Sequence, residues 1–172
     1  MTDATDTAVP TAPTQDLVVT RILDAPLDLV WRAWTEPEHV MHWWGPQHFT
    51  SPSASVDLRV GGRYVFAMQA PAEMGGTVSY TGGTYRRIAE HEVLEFTQGI
   101  TDESGEFVDP ASIGLPPDFP PPFVTTVSFR RRGEMTGLTV VQHDWPQTQM
   151  FVFALAGMQQ SIDKLAAAGQ QD

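Results

Sequence analysis

The segment from Pro146 to Ala168 constrains the fold most, because it predicts one long helix at the end of a chain whose other segments favour strands. Its apolar side chains repeat at helical spacing on one face: Met150, Phe151, Ala154, Leu155, Met158, Ile162 and Leu165. The run from Met150 to Met158 has no polar residue, whereas the second half carries charged and amide side chains. We therefore expect the first half to be buried on every side, and Gly169 to cap the helix.

The residues between Phe49 and Trp145 favour β-strands, because apolar and polar residues alternate in segments separated by glycine pairs. One pair, Gly82–Gly83, predicts a bulge within a strand. Ahead of this region, a strand begins near Asp16, and Pro26 opens a short helix, since proline suits the first helical position. A second short helix follows. The predicted order is a strand, two short helices, six strands and the long helix.

This order predicts an α+β fold in which a curved antiparallel sheet wraps around the C-terminal helix. Such a sheet leaves a cavity against the helix, open at the end where the short helices lie. The length predicts one domain, from residue 15 to 169, after a disordered tail over 1–14 that is rich in Thr, Ala, Pro and Asp. The insert 101–122 is long for a loop, so we predict that it is a mobile flap over one end of the cavity. Four apolar residues could dock it there: Phe107, Ile113, Leu115 and Phe119.

Composition narrows the classes of function. The chain has 172 residues, a formal net charge of −11 and no cysteine. The lack of cysteine excludes disulfide frameworks, thiolate zinc sites and cysteine nucleophiles. The acidic balance disfavours nucleic acids and anionic membranes as partners. No apolar run is long enough to span a bilayer and the N-terminus lacks a signal-peptide pattern, so we expect a cytoplasmic protein with no membrane insertion.

Five stretches of the sequence together resemble one known family. They are APLDLVWRAWTEPEHVMHWWGP from Ala25, VGGRYVFAM from Val60, GTYRRI from Gly83, LEFT from Leu94 and LTVVQH from Leu138. The chain is similar here to the heat-shock-protein-90 ATPase activator homologues, within the START-like superfamily of polyketide cyclases and birch-pollen allergens, often called SRPBCC. The resemblance implies a helix-grip fold with a deep apolar cavity for a lipid-like or polycyclic ligand.

Two histidine patterns are candidates for metal binding or catalysis. His39 and His42 lie three residues apart, with His48 and Asp57 downstream, but the metalloprotease motif is missing, so we predict no metal site. His143 precedes Asp144, and neighbouring strand residues point to opposite faces, so they cannot form a dyad directly. The basic cluster Arg130–Arg132 is expected to be a solvated hairpin tip.

Aromatic and helical residues supply the candidate binding site. Four tryptophans within fourteen residues either pack in the core or roof the cavity and stack on a flat ligand. We predict that the cavity is lined by Trp31, Trp34, Trp44, Phe66, Met68, Tyr80, Tyr85, Phe96, His143, Phe151, Ala154, Gly157 and Met158.

These features favour a small-molecule binding protein that holds an apolar ligand, with no cofactor and no catalytic residue assigned. One alternative is a cyclase- or hydratase-type enzyme acting on a polyketide-like substrate. Its inward-pointing polar candidates are few, namely His143, Tyr80, Tyr85 and Arg87. Another is an interaction protein in the stress response, with a chaperone as partner. A homodimer is a further candidate assembly.

Overall fold

The structure, a computed structural model, describes residues 13–169. Its strands are β1 (Thr14–Leu23), β2 (Ala54–Val56), β3 (Arg63–Gln69), β4 (Val78–Ala89), β5 (Val93–Thr101), β6 (Phe123–Arg132) and β7 (Met135–Pro146). Its helices are α1 (Leu27–Thr35), α2 (Pro37–Val40) and α3 (Gln149–Ala168). Two 3₁₀ turns cover Ala72–Met74 and Pro110–Ile113.

The strands of this described range form one seven-stranded antiparallel sheet in the order β1-β7-β6-β5-β4-β3-β2. The chain returns from β7 to place α3 against β1, so the sheet curves around the helix. The predicted α+β architecture is confirmed, including the two short helices after the first strand and the long helix at the end. This arrangement puts the inner face of the sheet opposite α3.

The ends of two elements differ from the sequence predictions. α3 begins at Gln149 rather than Pro146, because Pro146 is paired with Thr14 and closes the ladder between β1 and β7. Strand β1 therefore already includes Thr14, which the predicted tail contained, while residues 1–12 of that tail lie outside the described residues. Gly169 does follow α3, but with a right-handed φ of −67°. A Cβ there would lie 3.1 Å from that of Ala25, so its lack of a side chain permits close packing.

The predicted bulge at Gly82–Gly83 was wrong. The register between β4 and β5 shifts later, between Tyr85 and Arg87. The glycine pair serves a close approach of strands instead, because a Cβ on Gly83 would collide with the carbonyl oxygen of Thr97. A larger residue at this position would push β4 and β5 apart.

One end of the sheet is closed by a dense core, which we call the closed end and which consists of α1, α2 and the second half of α3. The expectation that the cavity opens where the short helices lie was therefore wrong, because their aromatic side chains fill that end. Trp31 packs edge-to-face on Phe129 with ring centroids 5.1 Å apart, and Trp34 meets Trp43 at 4.6 Å. The indole Nε1 of Trp43 donates a hydrogen bond to the carbonyl oxygen of Ala33 at 2.9 Å. These contacts lock the two short helices together over the sheet.

The first half of α3 is not buried on every side, contrary to the expectation from its composition. Val152 is 62% exposed and Phe153 is 61% exposed, whereas Ile162 in the second half is 0% exposed. The cavity and the insert lie on one side of this half of the helix, and no described residues cover its other side, which therefore faces solvent. An all-apolar sequence here marks the wall of a cavity.

Candidate functional site

A cavity of about 280 Å³ lies between the inner face of the sheet and the first half of α3. We call this part of the molecule the open end; its other walls are the 101–122 insert and the segment Trp44–Pro46. The lining side chains come from five strands as well as from α3. They include Trp44, Met68, Ile113, Leu115, Phe119, Phe123, Trp145, Met150, Phe153, Ala154 and Met158.

The polar lining of the cavity consists of uncharged groups. Ser79, Thr81, Gln98, Gln142 and Ser161 contribute hydroxyls and amides. Among the described residues, no Asp, Glu, His, Lys, Arg or Tyr lines the cavity. The site can therefore bury an apolar molecule and offer it hydrogen bonds, but it presents no group that titrates.

Two of these polar side chains, Gln98 and Gln142, flank Thr125, which lies on the strand between them. The hydroxyl of Thr125 on β6 donates to Oε1 of Gln98 on β5 at 2.8 Å. Thr125 is also the direct cross-strand partner of Gln142 on β7. The Nε1 of Trp145 donates to Oε1 of Gln142 at 3.1 Å. The result is a polar row across β5, β6 and β7.

The segment that follows α2 is fastened to α3. Lys164 donates from Nζ to the carbonyl oxygens of Pro46 at 3.2 Å and Phe49 at 3.0 Å. The amide of Gln47 donates to Oε1 of Gln160 at 3.0 Å. Partial burial lowers the pKa of Lys164. A Cβ on Gly157 would lie 3.6 Å from Cγ of Pro46, so this segment, rather than α1, covers the glycine.

The insert forms the outer wall of the cavity. Ile113, Leu115 and Phe119, three of the residues expected to dock it, line the cavity, and Phe119 lies edge-to-face with Trp145 at 6.3 Å. The fourth, Phe107, packs over the backbone of Gly99, where a Cβ would come within 2.9 Å of its ring. The position of the insert fits a flap, and its mobility stays a prediction.

Several of the predicted site residues line this cavity and others lie elsewhere. Those on the cavity are Trp44, Met68, Ala154, Gly157 and Met158. Four others, Trp34, Phe66, Tyr85 and Phe96, surround the ring of Tyr64 in an aromatic core that leaves no room for a ligand. Burial raises the pKa of the Tyr64 and Tyr85 phenols. These four are set deeper than the cavity, toward the closed end.

The remaining four predicted residues also lie outside the cavity. They are Trp31, Tyr80, His143 and Phe151. Trp31 is held against Phe129 and His91 at the closed end. Phe151 packs beside Trp145 at 6.4 Å, on the flank of α3. Tyr80 does not line the cavity, although its neighbours Ser79 and Thr81 do, because strand residues alternate between faces.

His143 is on the outer face of the sheet, because Gln142 is the inward residue of β7. Its Nε2 is 3.0 Å from the hydroxyl of Thr126, and its Nδ1 is 3.8 Å from Oδ1 of Asp16. The backbone amide of Asp144 also donates to Asp16. The polar candidates for catalysis thus lie outside the cavity, since Arg87 is exposed as well.

The other sequence patterns lie away from this cavity. His39 is 3.2 Å from Glu36 and stands apart from His48 and Asp57. Among the described residues, no three His, Cys, Asp or Glu side chains form a group that could hold a metal ion. Arg130–Arg132 are exposed at the end of β6. None of the helices in the described range has the length and apolar composition needed to cross a membrane.

Comparison with known proteins adds a family and a set of related folds. A family model described as "Activator of Hsp90 ATPase homolog 1-like protein" matches residues 24–170. Protein CV1439 from Chromobacterium violaceum is 26% identical, covers 91% of this chain and 98% of its own, and has a TM-score of 0.73.

Two more distant structures share the fold. A protein from Arthrobacter aurescens is 22% identical, covers 95% of this chain and 93% of its own, and has a TM-score of 0.73. The AHSA1 protein from Silicibacter pomeroyi is 17% identical, with coverages of 89% and 96% and a TM-score of 0.69. Comparison of the sequence with curated proteins finds no match.

Proposed function

The chain belongs to the family of Activator of Hsp90 ATPase homolog 1-like proteins, with the START-like fold of ligand-binding type, and we propose that it binds one small apolar molecule in the cavity at the open end. The observation that carries the proposal is a cavity of about 280 Å³ walled by aromatic, methionine and aliphatic side chains. Removing an apolar ligand from water into such a lining is favourable in proportion to the area buried.

The volume of the cavity limits the size of the ligand it can hold. An apolar cavity of about 150 Å³ is large enough to hold benzene. The cavity here is close to twice that size, at about 280 Å³. One or two fused rings, or a short branched chain, fill it better than a long acyl chain. Trp44 and Trp145 offer flat faces to a ring system of this size.

The lining favours binding over acid–base catalysis. A general acid or base must reach the reacting atoms, directly or through one water. No titratable side chain of the described residues lines the cavity, and the nearest sequence candidates lie on the outer face or in the aromatic core. The cyclase-type alternative therefore has no proton-transfer group to support it.

The test compares two leucine substitutions that are neighbours on α3. Gly157→Leu fills the cavity, because Gly157 lies in its wall, whereas Ala156→Leu adds the same side chain on the exposed side of the helix. We expect the parent and Ala156→Leu to take up the uncharged fluorescent probe N-phenyl-1-naphthylamine, and Gly157→Leu to lose that uptake. Circular dichroism confirms that both variants are folded.

Two outcomes would overturn this proposal. Equal uptake by Gly157→Leu and the parent would mean that no ligand occupies the space beside this helix face. A change from dimer to monomer in Gly157→Leu on a sizing column would instead identify the face as an interface between copies of the chain.

A further inference from the structure

The cavity floor carries the amides of Gln98 and Gln142, and Thr125 lies between them on β6. Gln98 is 9% exposed and Gln142 is 3% exposed. A buried amide has two donor hydrogens and an acceptor oxygen to satisfy, so its burial is unfavourable unless partners are present. The row therefore needs an explanation beyond packing.

The neighbours of the row fix which way the Gln142 amide points. The indole Nε1 of Trp145 can only donate, so the group that faces it must be the oxygen of Gln142. The amide nitrogen of Gln142 consequently points away from Trp145. On β5, the oxygen of Gln98 is likewise occupied by the hydroxyl of Thr125, at 2.8 Å.

The two amide nitrogens are left with hydrogens to donate. No hydrogen bond from Nε2 of Gln98 or Gln142 to another described residue is found. Buried polar atoms without a partner in the described part of the chain are Trp34 Nε1 and Thr148 Oγ1, and the two Nε2 atoms are not among them. Both Nε2 atoms therefore keep some accessible surface, and because both residues line the cavity, a ligand atom there can reach them.

From this geometry we infer that Gln98 and Gln142 are specificity-determining residues that select an uncharged ligand bearing an acceptor oxygen, such as a ketone or ester carbonyl. The inference rests on the proposed function and names the chemistry of the ligand at the same site. A pure hydrocarbon would cover two donors without satisfying them. A carboxylate would be buried without a positive partner, since no Lys, Arg or His of the described residues lines the cavity.

Two probes of the same shape test the inference. 2-Acetylnaphthalene and 2-ethylnaphthalene differ in a carbonyl oxygen, and 2-naphthoate adds the charged form. Each is measured by displacement of N-phenyl-1-naphthylamine from the full chain. We expect the ketone to bind the parent roughly two- to tenfold more tightly than the hydrocarbon, as one neutral hydrogen bond allows. We expect the carboxylate to bind more weakly than the ketone.

The variant Gln98→Met with Thr125→Val removes a donor and its hydroxyl neighbour together, so that neither is left buried without a partner. It should bring the affinities for ketone and hydrocarbon closer together. Gln142→Met tests the second amide, with its unfolding free energy measured alongside because Trp145 loses its acceptor. Gln69→Met is the matched control: its amide donates to the Gly76 carbonyl outside the cavity, and it should keep the parent's preference.

A spectroscopic readout separates hydrogen bonding from a change of shape. The infrared carbonyl stretch of bound 2-acetylnaphthalene should lie at lower frequency in the parent than in Gln98→Met/Thr125→Val. If parent and variants bind ketone and hydrocarbon equally, with the same carbonyl frequency, the selective row is refuted while the apolar cavity stands. If the parent takes up no N-phenyl-1-naphthylamine, the proposed function is refuted, and the inference about Gln98 and Gln142 is refuted with it.

Discussion

The two halves of α3 both carry apolar side chains on the face toward the sheet, but these side chains have opposite surroundings. In the second half, Ile162 and Leu165 are buried in the core of the closed end. In the first half, Ala154, Gly157 and Met158 face a cavity, and Val152 faces solvent. The second half of α3 thus packs in the core, and its first half forms a wall of the cavity.

This difference shows that stability and binding are separated along the helix. The closed end has interlocked indoles, so a change there should act on folding. The open end keeps space beside Trp44 and Trp145, so a change there should act on binding. Substitutions of matched size at the two ends can test this division.

The largest effect is expected from Ile162→Ala. Its side chain is fully buried, so truncation removes apolar contacts and leaves a void, at a cost of about 2–5 kcal/mol in the free energy of unfolding. Val152→Ala, at an exposed position of the same helix, should change it by less than about 0.5 kcal/mol. Urea denaturation measures both. Similar losses in the two variants would contradict the division of α3.

An intermediate effect on the free energy of unfolding is expected above pH 10, from Tyr85 in the aromatic core. Burial raises the pKa of Tyr85, so the unfolded chain loses this proton at a lower pH than the folded chain. The stability linked to Tyr85 is fully present below pH 10 and falls above it, by about 1.4 kcal/mol per pH unit. Tyr85→Phe should reduce this slope in urea denaturation between pH 8 and 11. Parallel curves for parent and variant would refute the assignment.

The smallest effect is expected from Gly157→Ala at the open end. Glycine inside a helix costs about 1 kcal/mol relative to alanine, and the added Cβ would meet Pro46 at an ordinary contact distance of 3.6 Å. The variant should therefore be more stable by up to about 1 kcal/mol and should still take up the fluorescent probe. A loss of stability would show that Pro46 packs more tightly on the helix than this distance implies.

The order of elements could be predicted from the sequence because helical and strand periodicities are local properties of the chain. The identity of the cavity residues depends on two further facts, which are the face of the strand that each residue occupies and its depth along the strand. Tyr80 and Tyr85 are an odd number of residues apart, so a regular strand cannot turn both inward, and only Tyr85 faces the core. The same alternation, applied to Leu138, Val140 and Gln142, would have identified Gln142 and not His143 as the inward residue.

Depth along a strand was beyond the reach of sequence patterns. Phe96 and Gln98 share one face of β5, yet Phe96 lies in the aromatic core and Gln98 lines the cavity. Their difference arises from which part of α3 and of the insert lies opposite each residue. That relation depends on the path of the whole chain, so no local pattern records it.

The contact between Lys164 and the segment after α2 has a practical consequence for labelling. Lys164 is the single lysine of the sequence, and its amine lies on the carbonyl oxygens of Pro46 and Phe49, beside a wall of the cavity. Because burial lowers its pKa, more of this amine is neutral and nucleophilic in mildly alkaline buffer than in an ordinary lysine. Apart from the α-amino group, an amine-reactive dye has this one side chain to couple to, and there it would report from beside the wall of the cavity.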